Sequence, residues 1–190
     1  MVVRTSGAAH LPGKAMPTIA LPSTRGDRVR VDVVPSGFER LVIFAYPLTG
    51  RPGIEDPPGW DEIPGARGCT AESCGFRDHA AELASVGAAV VGLSTQSTAY
   101  QLEATKRLLL PYPLLSDAEL RLATALRLPT FTARLRPEHD GGGIRTLIER
   151  LTLVVRDGRI ERVFHPVLTP EAHAEDVLAW IGTDRRGRVI

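Results

Sequence analysis

Apolar and polar positions along the chain alternate with two periods, and continuous apolar runs lie between them. Arg28-Val29-Arg30-Val31-Asp32-Val33 alternates every second residue, which predicts a half-buried strand entered through the turn Gly26-Asp27. Pro17-Thr18-Ile19-Ala20-Leu21-Pro22 is bounded by prolines, which lack a ladder donor, so it is an edge strand at most. Leu41 to Tyr46, closed by Pro47, and Ala88 to Leu93 are continuous apolar runs of the kind buried on both faces of a sheet. Leu151 to Val155 and Arg159 to Phe164 are two further strands, joined by the hairpin dipeptide Asp157-Gly158. Helical spacing covers Cys69 to about Val86, with Phe76, Ala80, Leu83 and Ala84 as the apolar stripe and Gly87 placed to end it. A second helix covers about Thr98 to Leu110 and is broken by Pro111-Tyr112-Pro113. A third, capped by Ser116 or Asp117, ends near Leu126, and a last one runs from Pro170 to Ile181 with Thr169 as cap.

Two stretches follow neither period. Residues 48–67 are dense in Pro and Gly and longer than an ordinary connection, which suits a functional or lid-like loop. Trp60 is its natural anchor, whether the segment forms a lid, a partner surface or a solvated decoration. Residues 129–143 read as a second loop, most flexible at Gly141-Gly142-Gly143. Residues 1–16 read as a loose N-terminal arm, and Asp184-Arg185-Arg186-Gly187-Arg188 begins a solvated basic tail over 183–190. No internal repeat is visible. Strand–helix–strand–helix followed by a hairpin and a helix predicts one α/β domain over residues 17–182. Its layout is a thioredoxin-like three-layer sandwich, with a central mixed sheet and helices on both faces.

Composition narrows the function classes. At 190 residues and 43% hydrophobic, the chain can bury one full core. The 23 basic and 22 acidic residues nearly cancel, so no polycation points to nucleic acid. No stretch approaches the ~20 apolar residues of a membrane helix, and residues 1–10 lack a secretory-signal core. A cytoplasmic protein with reduced cysteines is therefore expected.

Two cysteines are too few for a disulfide scaffold, so their placement matters more than their number. Cys69 falls at the start of a predicted helix, where unpaired backbone N–H groups and the dipole favour a thiolate. Arg67 and Arg77 add positive charge nearby in sequence. An oxidised thiolate becomes a sulfenic acid that a second thiol can condense with, and Cys74 is the only other cysteine in the chain. Five residues along a helix separate Cα atoms by roughly 8–9 Å, and a disulfide needs less than about 7 Å. The pair therefore cannot close unless the first turns unwind, between the permissive residues Gly68 and Gly75. Two buried, unreactive cysteines are the plain alternative. The spacing matches neither a Cys-x2-Cys reductase nor a zinc knuckle, and His79 alone would not complete a tetrahedral site.

The segment Gly68-Cys69-Thr70-Ala71-Glu72-Ser73-Cys74-Gly75-Phe76-Arg77-Asp78 resembles the active-site helix of peroxiredoxins of the bacterioferritin-comigratory-protein or Q type. Phe44-Ala45-Tyr46-Pro47, Val90-Val91-Gly92-Leu93-Ser94, Pro113-Leu114-Leu115-Ser116-Asp117 and Arg150-Leu151-Thr152-Leu153-Val154-Val155 extend the resemblance over roughly residues 13 to 182. The resemblance implies a cofactor-free, metal-free peroxidase acting on hydrogen peroxide or organic hydroperoxides. In it Cys69 would be the peroxidatic cysteine and Cys74 the resolving one, paired in an intramolecular disulfide that thioredoxin or a similar dithiol protein reduces. Arg150 would hold the thiolate and orient the peroxide, and a monomer would suffice. The family places a proline seven residues and a threonine three residues before the reactive cysteine, where this chain has Glu62 and Ala66. Pro47 and Thr49 would fill those roles by folding back across the 48–67 insertion, with Thr70 as another possible donor to the peroxide. Two other readings are a thioredoxin-like redox or metal-handling module and a non-catalytic relative used for binding.

Overall fold

The structure is a computed structural model and describes residues 7–186, the side chains of 184–186 excepted. Its centre is a five-stranded mixed sheet in the order β5-β4-β3-β8-β9. The strands are β3 (Arg40–Ala45), β4 (Ala88–Ser94), β5 (Leu114–Ser116), β8 (Leu151–Arg156) and β9 (Arg159–Phe164). β3, β4 and β5 run parallel, while β8 pairs antiparallel with β3 and β9 with β8. A short edge pair, β1 (Ala20–Pro22) and β2 (Arg28–Arg30), forms a second sheet that meets β5 through a Ser23–Leu115 bridge. The expected sandwich and mixed sheet are present.

The continuous apolar runs are explained by two cores. Along β3, Leu41, Ile43 and Ala45 face one core while Val42, Phe44 and Tyr46 face the other, and all are fully or almost fully buried. The first core is closed by α4 (Arg121–Leu126) and by residues 8–16. The second is closed by α1 (Cys69–Asp78), α2 (Ala80–Ser85), α3 (Thr98–Arg107) and α5 (His173–Arg186). Phe44 stacks on Phe76 of α1 at 4.4 Å between ring centroids. A Cβ on Gly92 would lie 2.9 Å from the Phe44 ring, so that ring fits only over a glycine.

Several expectations are corrected. Residues 7–16 are not a loose arm. Leu11 is fully buried, and Gly13 N–H and Met16 N–H donate to Ile160 and Gly158 carbonyls at 2.7 and 2.8 Å. The helix foreseen over 69–86 is interrupted at His79, and its stripe is shifted, since Ala84 is exposed while Glu72 and Ser73 are buried. The helix foreseen to Leu110 stops at Arg107. The N-cap of α4 is Leu120, neither Ser116 nor Asp117, although the Asp117 carboxylate accepts from Leu122 and Ala123 N–H at 3.1 and 2.8 Å. The last helix begins at His173, and Pro170 lies in the turn before it. It also takes in residues 183–186 of the expected tail, and residues 187–190 lie outside the described residues. No helix among the described residues is long and apolar enough to cross a membrane.

The largest correction concerns residues 129–143. They contribute most of an antiparallel hairpin, β6 (Thr130–Leu135) with β7 (Gly143–Ile148), whose strict alternation buries Phe131, Ala133 and Leu135. These side chains and Leu147 form a third core with Leu48, Trp60, Ile63 and Ala66 of the 48–67 segment. Trp60 lies 6.1 Å from Phe131, ring centre to ring centre. The segment is thus a strap fastened to a hairpin of its own.

Candidate functional site

Strand register decides where the site forms. Ala45 at the end of β3 pairs with Leu151 at the start of β8, and Tyr46 N–H donates to Leu93 O near the end of β4. The carboxyl ends of β3 and β4 therefore meet the amino end of β8, which delivers Arg150 beside the strap that begins at Pro47.

Cys69 is the first residue of α1, 4% exposed, and belongs to the second core. Gly68 caps the helix with φ 96°, and a Cβ there would sit 2.8 Å from Pro170, so this turn requires glycine. Arg150 reaches in from β8. Its Nη2 donates to Cys69 Sγ at 3.1 Å and to Arg67 O at 2.8 Å, and its Nε donates to Gly65 O at 3.3 Å. Its Nη1 donates to the Glu72 carboxylate, which is fully buried one helical turn after Cys69. One buried guanidinium therefore serves two potential anions and two loop carbonyls.

The electrostatics follow from that sharing. Burial pushes the Cys69 thiol up; Arg150 and a hydrogen bond from the Leu48 backbone pull it back, while Glu72 adds to the rise. Burial likewise pushes Glu72 up to about 8 against the pull of Arg150. Burial works against the charge on Arg150, but Cys69 and Glu72 outweigh it and keep the guanidinium protonated. The expected lowering by the helix start is thus outweighed by burial in the resting protein, and Arg150 is what makes the thiolate attainable. As a thiol, Cys69 donates to Ala66 O at 3.5 Å. Arg67 and Arg77, expected to supply positive charge, are directed elsewhere. Arg67 pairs with Asp56 at 3.2 Å and with Asp61, and Arg77 pairs with Asp78 at 2.8 Å.

Pro47 and Thr49 are buried on either side of Leu48, whose backbone bonds the Cys69 sulfur. The Thr49 hydroxyl donates to Gln96 Oε1 at 3.0 Å. Thr70 follows Cys69 on α1 and is half-buried. Cys74 is a half-buried free thiol on the same unbroken helix, next to Ser73, whose carbonyl accepts from Tyr112 OH at 2.6 Å.

Glu72, Gln96 and His173 went unrecognised in the sequence. Cys69, Glu72, Ser73 and Phe76 recur at i, i+3, i+4 and i+7, the stripe of a buried helix face. Two of its four members are polar, which hid the pattern. Gln96 and His173 carry no local signal, because their partners are Thr49 and Thr152 on other elements.

Residues 11–178 match the family model described as Redoxin. Peroxiredoxin Bcp of Escherichia coli is 26% identical over 170 residues, covering 89% of this chain and 94% of that one. Among solved structures, peroxidoxin BcpB from Mycobacterium tuberculosis superposes with a TM-score of 0.68 at 28% identity, covering 92% of this chain and 98% of that one. Peroxiredoxin Q of Xanthomonas campestris gives 0.66 at 22% identity over 93% and 98%, a likeness that bears on the fold alone. The chain belongs to the Redoxin family and is a thiol peroxidase of the peroxiredoxin group, with Bcp peroxiredoxins among its relatives.

Proposed function

We propose that the chain reduces hydrogen peroxide or organic hydroperoxides through Cys69, with Cys74 as the resolving thiol and a thioredoxin-like dithiol protein as reductant. The observation that carries this reading is the buried Arg150 Nη2 contact to Cys69 Sγ at 3.1 Å. Once Cys69 loses its proton, the guanidinium stabilises the thiolate and offers donors to a bound peroxide. The sulfur then attacks one peroxide oxygen, the O–O bond breaks, and the departing oxygen leaves as water or alcohol after taking a proton. The sulfur is oxidised by two electrons to a sulfenic acid. The Cys74 thiol displaces the sulfenic oxygen as water and forms a Cys69–Cys74 disulfide. A dithiol protein returns the two electrons and becomes a disulfide itself.

Disulfide formation requires α1 to open, because residues five apart on an intact helix are too distant to bond. Opening would break the Tyr112–Ser73 bond and loosen the contact of Gly75 with Glu171. Thr49, Pro47 and Thr70 form the peroxide-side wall in this reading, Thr49 taking the place left by Ala66. The cycle needs no second copy of the chain. It also needs a compartment that supplies a dithiol reductant, as the cytoplasm does.

The test is peroxide consumption in a thioredoxin-coupled system. Cys69→Ser is expected to abolish turnover, and Cys74→Ser to permit one fast oxidation followed by a stall. Full activity of Cys69→Ser would overturn the reading.

A further inference from the structure

We propose that Gln96 is the positioning residue that fixes the Pro47–Thr49 strap against the Cys69 sulfur, a role that rests on the reading of Cys69 as the reactive thiol. Residues 50–68 lie between Thr49 and Cys69, so chain connectivity does not set how the strap meets the helix. A long connection fixes its ends only loosely, and the site therefore needs a tertiary clamp.

Gln96 supplies it. The residue is 2% exposed, in the turn between β4 and α3. Its Oε1 accepts from both Thr49 N–H and Thr49 Oγ1, each at 3.0 Å, and its Nε2 donates back to Thr49 O at 3.3 Å. One amide thus holds the donor, acceptor and hydroxyl of a single residue, the neighbour of Leu48, whose backbone bonds Cys69 Sγ. Gln96 is itself held at both ends. Its N–H donates to Ser94 Oγ at 3.1 Å, and its carbonyl accepts from Ser116 Oγ at 2.7 Å. Ser94 and Ser116 are the last residues of β4 and β5, and Gln101 Nε2 bonds both Ser94 Oγ and Tyr46 OH at 3.0 and 3.3 Å. The clamp is therefore anchored to the carboxyl ends of all three parallel strands.

The geometry also sets the chemistry of Thr49. Its hydroxyl proton is committed to Gln96, so toward any other group the oxygen can act only as an acceptor. A hydroperoxide O–H is such a donor, whereas a thiolate is not. Gln96 would thereby select the orientation in which the peroxide proton points to Thr49 and the O–O bond is left to the sulfur.

The experiment uses the Cys74→Ser background, in which Cys69 is the only thiol. It compares Gln96→Ala, Thr49→Val and the double variant by two readouts. One is the pH profile of Cys69 alkylation, which does not depend on peroxide chemistry. The other is the rate of Cys69 oxidation by hydrogen peroxide. Gln96→Ala is expected to move the alkylation profile to higher pH and to slow oxidation about tenfold, the scale of one or two buried hydrogen bonds. The double variant is expected to lose no more than the worse single one, since Gln96 acts through Thr49. A folded Gln96→Ala protein with an unmoved profile and rate overturns the proposal, as do losses that multiply in the double variant. If Gln96→Ala does not fold, Gln96→Glu keeps the acceptor for both Thr49 donors but adds a negative charge and loses the Nε2 donor. Its profile must also move to higher pH, and an unmoved one overturns the proposal. Failure of the peroxidase reading looks different: Cys69 then resists peroxide in the parent protein as well.

Discussion

On the α1 side of Cys69 the contacts are ionic, and on the strap side they are neutral. Arg150 and Glu72 face each other in a buried ion pair whose second beneficiary is the sulfur. On the other side, the Leu48 backbone, Thr49 and Gln96 meet through amide and hydroxyl hydrogen bonds. The two sides are also built on different foundations. The ionic side rests on the sheet core and on contiguous residues of one helix. The neutral side rests on the third core, where Trp60 and Ile63 pack beneath the β6–β7 hairpin. Both sides thus ease loss of the sulfur's proton, Arg150 more than the Leu48 backbone, while the neutral side alone governs where the oxygen partner can sit.

The comparison is most severely tested at Arg150. Arg150→Met leaves the Glu72 carboxylate buried without its cation and removes the donor to Cys69. Oxidation of Cys69 is expected to fall about a hundredfold or more, and denaturant titration to show a loss of about 1–3 kcal/mol, since Glu72, already pushed up to about 8, stays neutral but loses its hydrogen-bond partner. A parental oxidation rate would contradict the role given to Arg150. Trp60→Ala should cost about 3–5 kcal/mol as a cavity in the third core. Because that core holds the strap, whose Gly65 and Arg67 carbonyls also accept from Arg150, its effect on Cys69 should be that of a loosened strap, with slower oxidation and an intact Arg150–Glu72 pair. If Trp60→Ala leaves both stability and oxidation unchanged, the strap is not fastened by this core.

A third test separates the helix packing from both sides. His173 is buried, donates to or accepts from Thr152 Oγ1 at 2.8 Å, and meets Phe76 edge-on. Burial, with Arg150 nearby, pushes it down to about 4 from an ordinary 6.5. The unfolded chain therefore binds a proton that the folded one refuses, and stability present above about pH 6.5 is lost as pH falls toward about 4, by up to about 3 kcal/mol. Glu72, raised to about 8 from 4.5, acts in the opposite sense, contributing in acid and losing that contribution as pH rises toward 8. The difference between parent and His173→Gln isolates the histidine. Urea titrations at about pH 5 and about pH 7 should show a shallower acid loss in the variant, and identical slopes would contradict the assignment. The smallest effect is expected at Glu72. Glu72→Gln removes the negative charge that competes with the thiolate for Arg150, so the Cys69 alkylation profile should move to lower pH. Movement to higher pH would show that Glu72 serves mainly to hold Arg150 in place.

The same contrast explains what was legible in the sequence. The two-core sheet announced itself through the runs at 41–46 and 88–93, because strands buried on both faces need apolar side chains at every position. Cys69, Cys74 and Arg150 were picked out by the resemblance of their segments to a known family, since spacing alone left two unreactive cysteines as an alternative. The strap and its hairpin did not, although Phe131, Ala133 and Leu135 alternate cleanly, because the glycines at 141–143 and the prolines around them read as a flexible loop. Those glycines make the turn region of a hairpin, and its partner core comes from residues 48–66, far away in sequence. Glu72 was hidden for another reason. A charged residue on a buried helix face is tolerable only because Arg150 meets it, and that meeting is set by strand register, which no local pattern records.

The measurement that bears most directly on the account is the mass of the protein after treatment with one equivalent of hydrogen peroxide, with the oxidised residue located by peptide mapping. The parent protein is expected to lose two hydrogens and yield a Cys69–Cys74 linked peptide. Cys74→Ser is expected to gain one oxygen on Cys69, trapped as the sulfenic acid. Oxidation that falls elsewhere, or that spares Cys69 when Cys74 is replaced, would contradict the claim that Cys69 is the thiol that meets the peroxide.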